Sequence, residues 1–291
     1  MVTDDDTERL LHEAQSLAAA TRAILDQLPP IEWGDLDNQC LSIAFRVSAL
    51  RQVEAFEAAV TLAQHGAGHL VVGFIRPACD EYFWLLYLHA IEEQLARKVF
   101  LALAAYESTT NLLAQQQFTG KKTMKALGFP AQYVNQSAIA RSDSRQFLTH
   151  LANRLEWPTN NEPRASPIPS THWIANRAGQ GRLYDYLYAA TSRSLHFSAG
   201  EITRRAWRAP GGVLTFNEPQ HSRYRTHFGV YWCGELLVRT LADAGRKHYE
   251  GIDEIPTEIG DSYLSAVHLF APGGKVPLVI PEEFNLPRQR P

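Results

Sequence analysis

"HLVVGFIRPACDEYFWLLYLHAI", residues 69–91, is the stretch whose reading decides the fold. It is long and apolar enough to raise the question of a bilayer, which needs about 20 such residues. Arg76, Asp80 and Glu81 stand near its middle. Each such charge costs about 2.5–3.5 kcal/mol at a bilayer centre on insertion scales. The stretch therefore reads as a helix buried nearly all round in a protein core. Pro77 lies inside it and cannot donate to the carbonyl of Gly73, which predicts a bend there or a helix that begins at the proline. At helical spacing Arg76, Asp80, Trp84 and Tyr87 share one face, with Glu81 beside them. A buried charge left alone is strongly destabilising, so Arg76 needs a carboxylate partner, Asp80 or Glu81. Two interpretations stand side by side: an ion pair that locks two helices, or an anion or polar-ligand site with Arg76 as its fixed cation.

Outward from this helix the chain keeps the same style. "TDDDTERLLHEAQSLAAATRAILDQL", residues 3–28, opens acidic, which suits a helix N-terminus, and spaces its leucines helically. Residues 40–64, 69–117, 131–156, 171–197 and 221–248 also read as helix, the fourth with a break at "AGQG". Prolines crowd residues 158–169 and the last forty residues, so a linker over 157–170 and a tail over 251–291 are expected to be extended. "RRAWRAPGGVLTFN", residues 204–217, places Pro-Gly-Gly between short apolar runs and predicts a small β-hairpin. The expected fold is mainly α: a multi-helix bundle with one β-hairpin near 204–217 and a proline-rich C-terminal tail. Residues 1–250 would form one domain, with helix 3–28 at its periphery.

Bulk properties narrow the partners. The chain has 291 residues, 45% hydrophobic and 20% charged, and a net charge of -3, which gives no global pull toward nucleic acid or an anionic membrane. Cys40, Cys79 and Cys233 are far apart and form no CxxC pair, which argues against a disulfide framework and for a reducing compartment. The acidic N-terminus lacks the layout of a secretory signal. A cytoplasmic protein with no membrane partner is the expectation.

A second polar row lies in "YLYAATSRSLHFS", residues 186–198. Tyr184, Tyr188, Ser192 and His196 follow at intervals of four and so line one helix face. His196 could act as a base with Ser192 beside it, or the row could be a seam whose hydroxyls and imidazole satisfy one another. No GxSxG elbow accompanies it, so it is not a serine-hydrolase triad. Arg145 and His150 fit the Arg-x4-His spacing of HEPN ribonucleases, whose Arg and His polarise a phosphate and move a proton. His65 and His69 are the nearest approach to metal-ligand spacing, across two glycines, and no metal is expected. Arg193, Arg204, Arg205 and Arg208 around Trp207 could grip RNA or be solvated surface charges. With no P-loop, GxGxxG or kinase signature, no cofactor is expected.

The two polar helices together resemble a bacterial family of unknown function. Its pattern joins an Arg-x3-Glu helix, here Arg76, Pro77, Asp80, Glu81, Trp84, Tyr87 and Leu88, to a later Tyr-x3-Ser-x3-His helix, here Tyr188, Thr191, Ser192 and His196. Asp80 stands where the family has Glu, with Glu81 next to it. The resemblance covers roughly residues 45–250 and implies a helical bundle and a site, but no reaction. A remote likeness to HEPN proteins rests on analogy. The functional expectation is a polar pocket where the Arg76 helix meets the His196 helix, formed by Arg76, Asp80, Glu81, Tyr184 and Tyr188 as ligand-binding residues, with Ser192 and His196 as candidate catalytic residues. Its occupant would be a small polar or anionic ligand or a protein partner. The alternative is a metal-independent HEPN-like ribonuclease, as in phage defence. Whether the protein is an enzyme, and whether RNA or a second copy is a partner, is left open at this level.

Overall fold

The computed structural model describes residues 4–158, 167–195, 202, 206–208, 213–216, 219–245 and 276. These residues are 84% helical. Nine α-helices are found among them: α1 (Asp4–Asp26), α2 (Leu36–Gln64), α3 (Val72–Ala90), α4 (Glu93–Thr119), α5 (Lys121–Ala126), α6 (Ala131–Arg154), α7 (Thr171–Arg177), α8 (Gly181–Leu195) and α9 (Pro219–Arg239). No helix among the described residues is long and apolar enough to cross a membrane.

The chain divides into two compact units. One comprises Met1–Pro30, Ala44–Leu86 and Ala175–Pro291. Its core follows from helical periodicity. Leu10, Ala14, Leu17 and Ile24 on α1 recur at intervals of four, three and seven, and all are buried. Phe45, Ala49, Val53, Phe56 and Val60 do the same on α2. Ile75 and Phe83 of α3, Leu187 of α8 and Phe228 and Leu236 of α9 complete this core, each fully buried. Burying one such side chain contributes about 1.5–3 kcal/mol. α9 approaches the turn before α3 so closely that a Cβ at Gly229 would lie 2.9 Å from Val71 Cβ, so only glycine fits there without movement.

The other unit comprises Ile31–Ile43 and Tyr87–Ile174. Here α4 and α6 pack into a helical hairpin, with Leu95, Val99 and Leu103 of α4 and Val134, Leu148 and Leu151 of α6 buried. Gly120, at φ 83°, ends α4 in a conformation that an L side chain rarely adopts. Just beyond α6, Trp157 is buried and its indole N–H donates to Tyr87 Oη at 2.7 Å. Trp173 meets Tyr87 edge-on at 5.8 Å, so the expected linker begins with a packed anchor rather than a free strand.

One expectation needs correction. The β-hairpin over 204–217 is not part of the fold, which is helical. Among the described residues the extended pairing amounts to a three-residue contact, with Ala206 opposite Phe216 and Arg208 opposite Leu214. So short a two-stranded ribbon is at best marginal without a layer to cover it. Val213, Leu214 and Phe216 are 66%, 47% and 72% exposed, so among the described residues no layer covers the apolar run. Of the two alternatives expected at Pro77, a bend or a helix start, the helix start does not hold. α3 begins five residues earlier, after a 3-10 turn at Gly68–Val71, and runs through the proline. The missing bond falls just after the first turn, where few ladder bonds precede it. The tail expected over 251–291 lies outside the described residues except for Val276, as do residues 159–166 of the expected linker.

Candidate functional site

Within the first unit, α3 presents three polar groups to three different neighbours. Arg76 faces α8. Its Nε donates to Asp80 at 3.3 Å to each carboxylate oxygen, the spacing of an i, i+4 ion pair on one helix. Its guanidinium carbon lies 4.4 Å from the centre of the Tyr188 ring, a cation–π geometry. Tyr188 in turn stacks on Tyr184, with ring centres 5.0 Å apart and planes inclined by 26°. Tyr184 also touches Phe83 of α3 at 6.2 Å. Arg76, Asp80, Tyr184 and Tyr188 are thus one contiguous cluster.

The cluster borders solvent. The side chains of Arg76 and Asp80 are 26% and 37% exposed, and Tyr188 is 40% exposed. Tyr188, expected to help form a pocket between the two helices, makes the open side of the cluster. Partial burial works against the charge on Arg76. The nearby Asp80 carboxylate, by charge and hydrogen bond, and Tyr188 outweigh it, so its pKa is raised and the cation is held firmly. Burial likewise raises the Tyr184 phenol, with Arg76 opposing, so Tyr184 stays neutral.

Glu81 is not part of this cluster. It turns to α2, where the Gln52 amide donates to Oε2 at 3.3 Å and Arg51 Nε lies 3.2 Å from Oε1. Its side chain is 14% exposed, and burial raises its pKa despite Arg51. A one-residue step along a helix turns a side chain by about 100°, which is why neighbours Asp80 and Glu81 serve different helices. Ser192 is half-buried near the end of α8. His196 lies outside the described residues, so the row that would end in a base is described only through Ser192. The side chains of Arg193, Arg204, Arg205, Trp207 and Arg208 lie outside them as well.

Several polar groups escaped the sequence reading. Tyr186 points to the opposite side of α8 from Tyr184 and Tyr188. It packs on Trp232 and Phe228 of α9 and donates its hydroxyl to the Val276 carbonyl at 2.7 Å. Tyr82, fully buried, donates to Asp243 at 2.7 Å. Asp243 sits in a π-helical turn, Thr240–Ala244, that follows α9. Beside it Arg239 gives Nε and Nη2 to Glu235 Oε1 at 2.9 and 2.7 Å. The Glu-x3-Arg spacing was a readable signal for the last pair. Nothing local announces Tyr82 with Asp243, 161 residues apart.

Arg145 and His150 both lie on α6, five residues apart. That spacing sets them about 140° apart around a regular helix, so the helix alone does not converge them on one phosphate. No group of three or more metal-binding side chains is found among the described residues.

Residues 43–212 match the model of the "Family of unknown function (DUF5677)". No curated protein and no solved structure matches the chain. The likeness to HEPN proteins therefore receives no support from these comparisons.

Proposed function

Starting from the premise that the chain belongs to the DUF5677 family, we propose that its first unit binds a small anionic ligand, with a planar group beside the anion, at the Arg76–Tyr188 face. The single observation that carries this reading is how Arg76 is held. Both of its hydrogen bonds to Asp80 come from Nε. The terminal pair of nitrogens is the part of a guanidinium that grips a carboxylate or phosphate bidentately. The Tyr188 ring at 4.4 Å, together with a side-chain hydrogen bond to Tyr188, holds the guanidinium in place beside the ring, which lowers the ordering cost of binding. Arg76 and Tyr184 cover the two faces of the Tyr188 ring, so it is the exposed edge of Tyr188 that a planar group attached to the anion would meet. Asp80 tempers the site's charge, so a monoanion suits it better than a polyanion.

The test uses inorganic phosphate and benzoate as probes, with thermal unfolding as the readout. At a ligand concentration ten times the dissociation constant, binding to the native state adds about 1.4 kcal/mol. Wild type should rise in Tm with benzoate and less with phosphate. Arg76→Lys keeps the charge but loses the fork, and should show no rise. Tyr188→Leu should lose the preference for benzoate over phosphate. A wild type unmoved by either probe, or an Arg76→Lys variant that keeps the full rise, would overturn the proposal.

A further inference from the structure

The α4–α6 hairpin of the second unit leaves a flank of α6 uncovered. Tyr133 is 51% exposed and Phe147 42% exposed, and Ala140 is exposed as well. At 100° per residue, Tyr133, Ala140, Ser144 and Phe147 fall within about 60° of one another, so they form one stripe along the helix. The stripe carries no charge. Exposed Asp143 and Arg154 lie about 40° and 20° from Phe147 around the helix, at the margin and the end of the stripe, and Arg141, on its other side, is turned to α4, where its Nε donates to Thr110 at 3.1 Å and its guanidinium lies over Tyr106. On α4 the facing half, residues 104–119, has no buried residue and one charged residue, Glu107. Between the two helices lies a groove of about 330 Å³, lined by Ser108, Leu112, Gln115, Phe129, Tyr133 and Ser137. That volume accepts an aromatic ring.

The stripe is self-complementary. Tyr133 precedes Ala140 by seven residues, and Phe147 follows it by seven. An antiparallel pairing of two α6 helices about a two-fold axis at Ala140 sets Tyr133 of each copy against Phe147 of the other. Such an isologous arrangement repeats every contact twice. At the axis Ala140 meets Ala140, and Ser144 meets Gln136 of the other copy, so the backbones can approach at the axis. The second copy's Phe147 then arrives beside Tyr133, where the groove lies. We infer that this face of the α4–α6 hairpin is a homodimer interface, in which two hairpins close into a four-helix arrangement with Phe147 of each copy seated in the groove of the other.

Size and charge favour a second copy over other occupants. α6 is about 36 Å long, and two packed helices are about 18–20 Å across, which gives a face of roughly 700 Å². A stable interface needs about 800 Å² per partner, so the face is of the right order. An uncharged stripe and groove offer nothing to a phosphate backbone or an acidic peptide.

The test is the mass of the full chain in solution by light scattering, read with variants. Wild type should run at twice 32.7 kDa. Ala140→Arg, at the axis, should run as a monomer with unchanged helical circular dichroism, because Ala140 is exposed and bears no load in the fold of one copy. Ile139→Arg, on an exposed position about 100° away, should leave the dimer intact. A second measurement stands apart from charge insertion. The native cysteines are all buried, so Ala140→Cys treated with diamide should give a disulfide-linked dimer, whereas Ile139→Cys should not. A monomeric wild type, a dimer that survives Ala140→Arg, or faster cross-linking at Ile139→Cys than at Ala140→Cys would each overturn the inference.

Discussion

Replacing Tyr82 by Phe removes one oxygen from the centre of the first unit and leaves the ring in place. Tyr82 is fully buried, and its hydroxyl donates to the Asp243 carboxylate at 2.7 Å. A hydrogen bond to a charged group contributes about 1.5–3 kcal/mol net. Asp243 is itself exposed and regains water when its donor is lost, so the cost should sit at the low end, about 1.5 kcal/mol. For a chain of this size that lowers Tm by roughly 3–6 °C. The pH dependence gives an independent check. Burial raises the Tyr82 phenol well above its ordinary value, and the bond and charge of Asp243 raise it further, with Arg239 opposing. An unfolded tyrosine ionises near pH 10 while the folded Tyr82 stays protonated. The stability it contributes is therefore fully present below about pH 10 and is lost as the pH rises beyond it, by about 1.4 kcal/mol per pH unit. Tyr82→Phe has no such proton to lose. In urea unfolding the gap between wild type and variant should be constant from neutral pH to about pH 10 and vanish near pH 11. A variant as stable as wild type at pH 7, or a gap that stays constant through pH 11, would refute the contact between α3 and the π-helical turn.

Other expectations follow from single features. Gly229→Ala places a methyl 2.9 Å from Val71 Cβ, against a packed helix, and should cost about 1–3 kcal/mol in urea unfolding; a neutral result would contradict the close approach. Cys79 and Cys233 are buried, and burial pushes the Cys233 thiol up to about 12, so neither should react with a thiol reagent at pH 8 until the chain unfolds. Arg22 holds Glu57 through two bonds of 2.6 Å, and that hydrogen bonding lowers the carboxyl's pKa. Its contribution is present above the ordinary carboxylate pKa and fades as pH falls through the lowered one. Because both side chains are about 40% exposed, Glu57→Gln should cost no more than about 1 kcal/mol at pH 7, and the difference should close in acid.

The sequence disclosed the helices wherever a periodic apolar face met a core. Phe45, Ala49, Val53, Phe56 and Val60 carry that pattern plainly, as do the leucines of α1. It misled at residues 204–217, where Pro-Gly-Gly is a sound turn signal but the flanking Val213, Leu214 and Phe216 have no layer to pack on among the described residues. At the site, the pairing of Arg76 with Asp80 is a local, four-residue relation and was legible. So was the line of Tyr184 and Tyr188, because the same helical period sets it. The separation of Glu81 from Asp80 was not, since periodicity gives a direction around α3 but not which helix waits there. Nor was the contact of Tyr82 with Asp243, whose partners are brought together only by the tertiary fold. The intended end of the polar row, His196, falls outside the described residues, so its role as base is an expectation drawn from spacing.

The most direct measurement of the central claim watches the Arg76 guanidinium while benzoate is added. In the ¹⁵N-arginine spectrum, its resonances are identified by their loss in Arg76→Lys. Nε–H is committed to Asp80, whereas the proposed ligand would take the terminal fork. The account predicts that the Nη–H signals of Arg76 sharpen and shift on titration while Nε–H stays nearly in place. Arg76 signals that stay still, or an Nε–H that moves alone as Asp80 is displaced, would contradict it.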